Sequence, residues 1–168
     1  MSSLRWALVL CLLAAGSVGL AAAPKVDPWP VYTNARYGYQ LEHAPDALLE
    51  EEAQNGDGRR ILSADKALEV LVWGDLDPML GGVDGRWAEL LAPADGAKIT
   101  YKRRGKDFLV VSGTVIKDGV KTVFYRKVLT GRPDQFATFE ARYPFARKRD
   151  LDKVVARMAL SMRYASAE

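Results

Sequence analysis

The C-terminal half of the chain is a continuous series of strand-like segments, and this series most limits the folds that the sequence can adopt. Two tight turns, Arg104-Gly105 and Lys117-Asp118-Gly119, separate successive segments and are typical of β-hairpins. Because such short turns leave no room for a crossover, neighbouring strands are expected to pair antiparallel. The predicted strands are Lys98–Arg103, Asp107–Ile116, Val120–Leu129 and Gln135–Tyr143.

The N-terminal half predicts shorter strands. Tyr32–Asn34 and Tyr39–Glu42 flank a Tyr37-Gly38 turn, and Arg59–Ala64 leads to Leu68–Trp73. Apolar residues occupy both faces of this last strand, which is typical of a central strand covered on both sides. Residues 47–53 (ALLEEEA) fit either a helical turn or an acidic loop.

Two helices complete the expected fold. Asp77-Pro78 can open the first, whose body is Arg86–Leu91 because the glycines before it weaken helix formation. The second is expected from about Asp150, as N-cap, to Tyr164, since its apolar residues fall at helical spacing. These residues are Leu151, Val154, Val155, Met158 and Met162. The sequence thus predicts an α+β fold, an antiparallel β-sheet of about six strands with helices packed on both faces.

The N-terminus has the order of a secretory signal peptide over residues 1–21. Arg5 supplies the positive charge, residues 6–13 (WALVLCLL) form a short apolar stretch, and small residues follow. Cleavage after Ala21 is preferred, because cleavage after Ala23 would place Pro24 next to the cut bond. The apolar run is shorter than the ~20 residues that span a bilayer. We therefore expect a periplasmic or secreted protein.

The remaining chain is expected to hold one domain. Residues 22–30 (AAPKVDPWP) form a proline-rich lead-in, residues 31–164 the domain and residues 165–168 a tail. Cys11 is the single cysteine, and Leu10 before it is not the small residue that lipid modification needs. The mature chain would then contain no disulfide, so its core must hold the fold.

Charge is unevenly distributed along the sequence. Residues 22–97 carry 14 acidic and 6 basic side chains, whereas residues 98–168 carry 7 acidic and 17 basic ones. If the two halves interleave in one sheet, these charges largely neutralise each other. If they remain apart, the molecule has a basic face.

Groups that perform catalysis or bind metals are sparse. His43 is the single histidine, and no nucleophile motif of the G-x-S-x-G type accompanies it. The alternative function that we consider is an envelope hydrolase, which would have to use carboxylates such as Asp57, Asp75 and Asp77, with or without His43. No catalytic, cofactor-binding or metal-binding residue is assigned, and no cofactor is expected. The Asn55–Gly58 turn is rich in oxygen donors and does not match an EF-hand loop, which leaves two alternatives, a looser calcium site or a glycine-rich turn that begins the next strand.

Two groups of residues are candidate contact sites. Lys102, Arg103, Arg104 and Lys106 are expected at one hairpin tip, with their charges pointing together into solvent. Such a cluster attracts anionic membrane surfaces, although solvated surface charge is the simpler interpretation. The second group consists of aromatic side chains near the N-terminus, which either contact a partner or pack the first hairpin. Its members are Trp29, Tyr32, Tyr37 and Tyr39.

The order of elements resembles that of PsbP-like, or Mog-type, domains. Residues 32–41 (YTNARYGYQL), with a YGY turn and Pro45 after the second strand, are similar to the start of those domains. The strands from Lys98 to Tyr143 and the terminal helix are similar too. The NGDGR run at Asn55–Arg59 resembles a segment of uncharacterised exported bacterial proteins.

This resemblance implies an antiparallel sheet with helices on both faces and a role in binding or assembly. Members include an extrinsic photosystem subunit, a Ran-GTPase-binding protein, envelope lipoproteins and effector chaperones, and they share no catalytic residues. We therefore expect an exported, non-enzymatic binding or accessory domain of the cell envelope. Its partner would be an envelope protein or a small ligand, with weak contact to an anionic membrane surface as a further possibility. Nucleic acid is not expected for an exported protein.

Overall fold

A computed structural model describes residues 28–76, 81–92 and 96–165 of the chain. The predicted signal peptide and most of the lead-in lie outside the described residues, so they stay predictions. The strands are β1 (Val31–Asn34), β2 (Tyr39–Glu42), β3 (Leu48–Leu49), β4 (Gly58–Leu62), β5 (Glu69–Leu76), β6 (Lys98–Arg104), β7 (Phe108–Lys117), β8 (Val120–Arg132), β9 (Gln135–Pro144) and β10 (Arg163–Tyr164). The helices are α1 (Gly82–Leu91) and α2 (Lys148–Ser161), and a 3-10 turn, Phe145–Arg147, precedes α2.

The strands form two antiparallel sheets. Seven strands make a large sheet in the order β3-β4-β5-β9-β8-β7-β6, and β1-β2-β10 make a small one. The predicted hairpins are confirmed. In the β7–β8 turn, Asp118 and Gly119 both adopt positive φ angles, 51° and 77°, as a two-residue type I′ turn requires.

Each face of the large sheet is covered by different elements. On one face, α2 and the small sheet enclose the main core, in which Tyr39, Val72, Phe139, Val155 and Met158 are at most 2% exposed. On the other face, α1 covers a second cluster that lies towards β7 and β8 and is centred on Leu90, Leu109, Val111, Val128 and Phe136. The prediction of an α+β fold with helices on both faces is therefore confirmed.

The α1 side of the sheet is incompletely covered. Leu71 on β5 is 37% exposed, so the expectation that this strand is covered on both faces is correct only for the α2 side. Near it, β8 and β9 carry Arg126, Glu140 and Arg142 on the same face. Charged pairs thus occupy the part of this face that α1 does not reach.

The C-terminal segment differs from the expected helix. α2 begins at Lys148 with Arg147 as its N-cap residue, so Asp150 lies in the first turn rather than at the cap. The helix stops at Ser161, because Met162 adopts an extended conformation and the next two residues pair with β2 as β10. Lys127 donates hydrogen bonds to the carbonyl oxygens of Ala159 and Met162 at 2.6 and 3.2 Å, which satisfies backbone acceptors at this helix end.

Two smaller expectations also need correction. Residues 47–53 are not a helical turn, since Leu48–Leu49 pair with β4 as a short strand and the acidic residues after them form a loop. α1 begins at Gly82, four residues before the predicted body, so the glycines do not exclude the helix. Its expected start at Asp77-Pro78 lies outside the described residues. Across the described ranges, neither helix is long and apolar enough to cross a membrane.

Candidate functional site

Strand order places the strands of the two halves at opposite ends of the large sheet. Ion pairs still join the halves, because Arg104, Arg147 and Arg157 bind Asp84, Asp65 and Glu42, respectively. The strands β3, β4 and β5 come from the acidic half and occupy one end of the large sheet, while β6 to β9 come from the basic half and occupy the other. The acidic loop of residues 50–57 extends from the β3 end, and the basic β6–β7 hairpin lies at the opposite edge. Basic side chains therefore accumulate at one end of the sheet, since β6 to β9 carry ten basic side chains and one acidic one, whereas β3 to β5 carry two of each.

The tip of the β6–β7 hairpin depends on Gly105. Its backbone N–H donates to the carbonyl oxygen of Phe108 at 2.8 Å. A Cβ atom added at Gly105 would lie 2.3 Å from Cε1 of the Phe108 ring, far inside contact distance. Any larger residue at this position would force the Phe108 ring to move, so glycine allows the ring to pack closely over the turn.

The four basic residues of this hairpin are exposed, but they do not point together as expected. Side chains alternate along a strand. Lys102 and Arg104 stand opposite Val111 and Leu109 on the α1 side, whereas Arg103 lies on the α2 side. Arg104 also forms an ion pair with Asp84 of α1 at 2.6 Å. The cations therefore line both sides of the sheet edge instead of forming one cluster.

A groove lies on the α2 side of this edge. It has a volume of about 190 Å³. Leu160 of α2 is 82% exposed at its rim, and Tyr101 of β6 is 49% exposed. Arg103 stacks over the Phe108 ring at 5.6 Å from its centre. The groove thus combines an apolar floor with a cation on β6.

Lys127 forms the inner wall of this groove. Its ammonium group is held by the α2 carbonyls described above, and burial lowers the pKa of this lysine below its usual range. Because these hydrogen bonds hold the ammonium group at the C-terminal end of α2, we assign Lys127 a structural role.

A second groove lies beside the same strand on the α1 side. It has a volume of about 280 Å³ and is lined by Leu91 at the end of α1 and by Ile99, Thr100, Tyr101 and Lys102 of β6. A β-bulge between Ile99 and Tyr101 leaves Thr100 as an extra residue in β6. The edge strand is therefore flanked by a groove on each side.

The N-terminal aromatic side chains do not provide a contact surface. Tyr32, Tyr37 and Tyr39 are at most 8% exposed and belong to the main core, so the interpretation that they pack the first hairpin accounts for them. Trp29 is partly buried against the same core. The guanidinium of Arg157 lies 4.1 Å from the centre of its ring.

A polar network anchors this hairpin to the acidic loop. Tyr32 donates from its hydroxyl to Glu52 at 2.7 Å, and Asn34 donates from Nδ2 to the same carboxylate and to the carbonyl oxygen of Gly56. Burial raises the pKa of Tyr32 and that of Tyr39, whose hydroxyl donates to the Asp57 carbonyl. These contacts hold the acidic loop against the first hairpin.

The carboxylates considered for a hydrolase are not brought to His43. The imidazole is buried near the end of β2 on the α2 side, and its Nδ1 lies 2.9 Å from the Ala44 carbonyl oxygen. Asp75 lies on the α1 side of the sheet and binds Arg86 at 2.6 Å. Asp57 lies in the turn before β4, and Asp77 is outside the described residues. His43 is therefore separated from Asp75 by the large sheet, whereas Asp57 lies beside the strand of Asp75, its carbonyl oxygen accepting a hydrogen bond from Gly74 N–H at 2.8 Å.

The oxygen-rich turn at Asn55–Gly58 is also internally satisfied. Asn55 donates from Nδ2 to a carboxylate oxygen of Asp57 at 2.7 Å. Within the described ranges, no group of three or more His, Cys, Asp or Glu side chains is placed to hold a metal ion.

Comparison with known proteins identifies the fold. No protein-family model matches the sequence, and no curated protein matches it. Cyanobacterial PsbP (CyanoP) from Synechocystis sp. PCC 6803 superimposes with a TM-score of 0.63 at 15% identity, covering 91% of this chain and 98% of its own. LpqN of Mycobacterium tuberculosis superimposes with a TM-score of 0.56 at 14% identity, and the match covers 84% of this chain and 88% of LpqN. A protein of Bacteroides thetaiotaomicron superimposes with a TM-score of 0.55 at 10% identity, and the match covers 83% of this chain and 49% of that protein. At these identities the similarity is one of architecture, and the chain has a PsbP-like fold.

Proposed function

We propose that this protein is an exported accessory domain of the cell envelope that binds an anionic partner through its basic sheet edge, the β6–β7 hairpin. The observation that carries the proposal is the strand order. It collects the basic strands β6, β7 and β8 at one end of the large sheet and leaves the edge strand β6 exposed there. A surface of one charge sign steers oppositely charged partners and raises their association rate.

Two observations support an envelope location. The first 21 residues have the pattern of a secretory signal peptide. LpqN, which shares the architecture, is described as involved in cell envelope biogenesis. Anionic groups are abundant in that compartment, both on phospholipids and on proteins, whereas an exported protein is not expected to meet nucleic acid.

The arrangement of polar groups favours binding over catalysis. His43 and Asp75 lie on opposite sides of the large sheet, and Asp75 is held by Arg86. A general acid or base must reach the same substrate atom as its partner groups. By contrast, the β6–β7 hairpin presents Lys102, Arg103 and Arg104 to solvent beside two open grooves.

Export is tested with the full chain fused at its C-terminus to alkaline phosphatase, an enzyme that is active only outside the cytoplasm. We expect activity, and we expect N-terminal sequencing of the purified product to begin at Ala22. A second fusion that lacks residues 1–21 serves as the control and should be inactive. An inactive full-length fusion would contradict the proposed location.

Binding is tested by site-specific photo-crosslinking in the native host. A photoreactive amino acid replaces Thr100 on β6 or, as the control, Leu48 at the opposite edge, because both side chains are exposed. We expect adducts from position 100 that disappear at high salt, and none from position 48. Equal adduct formation at both positions, or none at either, would contradict the assignment of the basic edge as the contact surface.

A further inference from the structure

We propose that β6 binds an extended acidic segment of a partner protein as an additional strand of the large sheet. This inference rests on the proposed function, because it specifies the partner and the binding mode of the same surface. The described residues leave β6 at the end of the sheet, with β7 as its neighbour on one side only. Its outward backbone N–H and C=O groups are therefore available to a further strand.

The two ends of the sheet are not equivalent. β3 closes one end and is two residues long, whereas β6 runs for seven residues from Lys98 to Arg104. A short strand offers few backbone groups for pairing, and very short edge strands are a common protection against it. The bulge at Thr100 interrupts β6, but the regular stretch Tyr101–Arg104 still covers most of the typical strand length of about 5–6 residues.

The grooves on both sides of β6 match the side-chain pattern of a bound strand. Successive side chains of an added strand would point to opposite sides of the sheet. One set would lie over the α1-side groove near Leu91 and Lys102, and the other over the α2-side groove near Phe108 and Leu160. In strand addition, backbone hydrogen bonds supply affinity and such pockets supply specificity.

The charges on β6 determine which residue types suit the added partner strand. A second copy of this chain pairing edge to edge would bring cations against cations, which is destabilising. An acidic strand instead meets Lys102 on the α1 side, together with Arg104, which also pairs with the exposed Asp84 of α1. The α2 side offers the exposed hydrocarbon of Leu160 and the Tyr101 ring beside the cation of Arg103, which suits apolar side chains. The geometry therefore points to a segment that alternates acidic and apolar residues.

The probe is a peptide of about ten residues that alternates glutamate with valine. A second version is N-methylated at its central amides, so that it keeps every side chain and charge but loses its backbone donors. We expect the first peptide to bind the mature protein and to slow amide hydrogen exchange along β6. The methylated version should bind at least ten-fold more weakly.

Protein variants separate this site from general charge effects. Lys102→Glu combined with Arg104→Glu is expected to weaken peptide binding at least ten-fold. The control, Arg149→Glu combined with Lys153→Glu, makes the same change in net charge at exposed positions of α2 and should leave binding nearly unchanged. Circular dichroism checks that both variants retain the fold.

Other results would contradict strand addition, the proposed function or both. Equal binding of the two peptides, or equally tight binding of phosphatidylglycerol vesicles that displace the peptide, would show plain electrostatic attraction and overturn strand addition. The proposed anionic partner would survive that result. A concentration-dependent dimer that masks the β6 amides would also overturn the proposal, with a second copy as the occupant. Failure of both peptide and vesicle binding, together with no crosslinks from position 100, would overturn the proposed function as well.

Discussion

Glu140 is a buried carboxylate that joins two strands on the α1 side of the sheet. Its side chain is 5% exposed, and it accepts hydrogen bonds from Nε of Arg126 and Nε of Arg142, each at 2.6 Å. The two arginines are far more exposed, at 32% and 48%. The carboxylate therefore depends on its partners, whereas the arginines can regain water if the carboxylate is removed.

We expect Glu140→Gln to lower the free energy of unfolding by about 2 kcal/mol, because the amide loses the negative charge and keeps only one acceptor oxygen, so one buried arginine contact is lost. Urea denaturation measures the change. Glu69→Gln is the matched control, since Glu69 pairs with Arg60 at a site where both side chains are well exposed. Such surface pairs contribute at most about 1 kcal/mol. Equal losses in the two variants would show that burial does not strengthen the Glu140 cluster.

Tyrosine ionisation supplies a second expectation. Burial raises the pKa of Tyr164 to about 12, and burial likewise raises the pKa values of Tyr32, Tyr39, Tyr125 and Tyr143. In the unfolded chain these hydroxyls ionise near pH 10. Above that pH the unfolded state has lost protons that the folded state retains, so stability must fall as pH rises.

The measurement is the urea midpoint at about pH 8 and about pH 11, with tyrosinate absorbance recorded in parallel. We expect a lower midpoint and incomplete ionisation of the folded protein at the higher pH. Burial lowers the pKa of Lys127, so this group makes the folded state more stable as pH rises. The five tyrosines outweigh this single opposing group. A midpoint that is unchanged or higher at alkaline pH would contradict the burial of these hydroxyls.

At the scale of elements, local patterns predicted the strands and hairpins well but missed the end of α2. The turns with Gly105 and with Asp118-Gly119 have chemistry that is readable in the sequence. By contrast, Met162 continues the helical spacing of apolar residues, so periodicity extends the helix too far. Tertiary contacts end the helix, because the edge of β2 pairs with β10 and Lys127 donates hydrogen bonds to the last carbonyl oxygens. Neither partner is close in sequence.

This interpretation gives an expectation for β10. Truncation after Met162 removes the half-buried ring of Tyr164, whose hydroxyl donates to the Gln135 carbonyl at 3.0 Å, and the hydrogen bond from Ala165 N–H to Gly38. We expect a loss of about 2–3 kcal/mol in unfolding free energy. Truncation after Ala165 leaves these contacts intact and is the control. A neutral effect of the longer truncation would mean that β10 adds nothing to the small sheet.

The candidate site could be predicted from the sequence only in part. The basic cluster was identified, and so was the hairpin that carries it. Side-chain alternation along a strand implies that Lys102 and Arg103 face opposite sides of the sheet. The position of all four basic residues near one turn instead suggests a single basic patch. The grooves were not predictable, because they depend on where α1 and α2 lie relative to β6, and those contacts join distant parts of the chain. The same holds for the tyrosines, whose burial follows from packing of the small sheet under α2.

At the scale of the whole molecule, charge separation should be measurable without any partner. The mature chain would carry only a small net positive charge, so retention on a cation-exchange column near neutral pH depends on local clustering rather than on the total. We expect Lys102→Glu combined with Arg103→Glu to elute at clearly lower salt than the wild-type protein. Screening limits the interaction to charges within about 10 Å of the resin surface at 0.1 M salt, which favours the edge that presents most cations. The control, Arg149→Glu combined with Lys153→Glu, changes the net charge equally and should shift elution much less. If both variants shift by the same amount, net charge alone governs retention, and the sheet edge has no dominant basic surface.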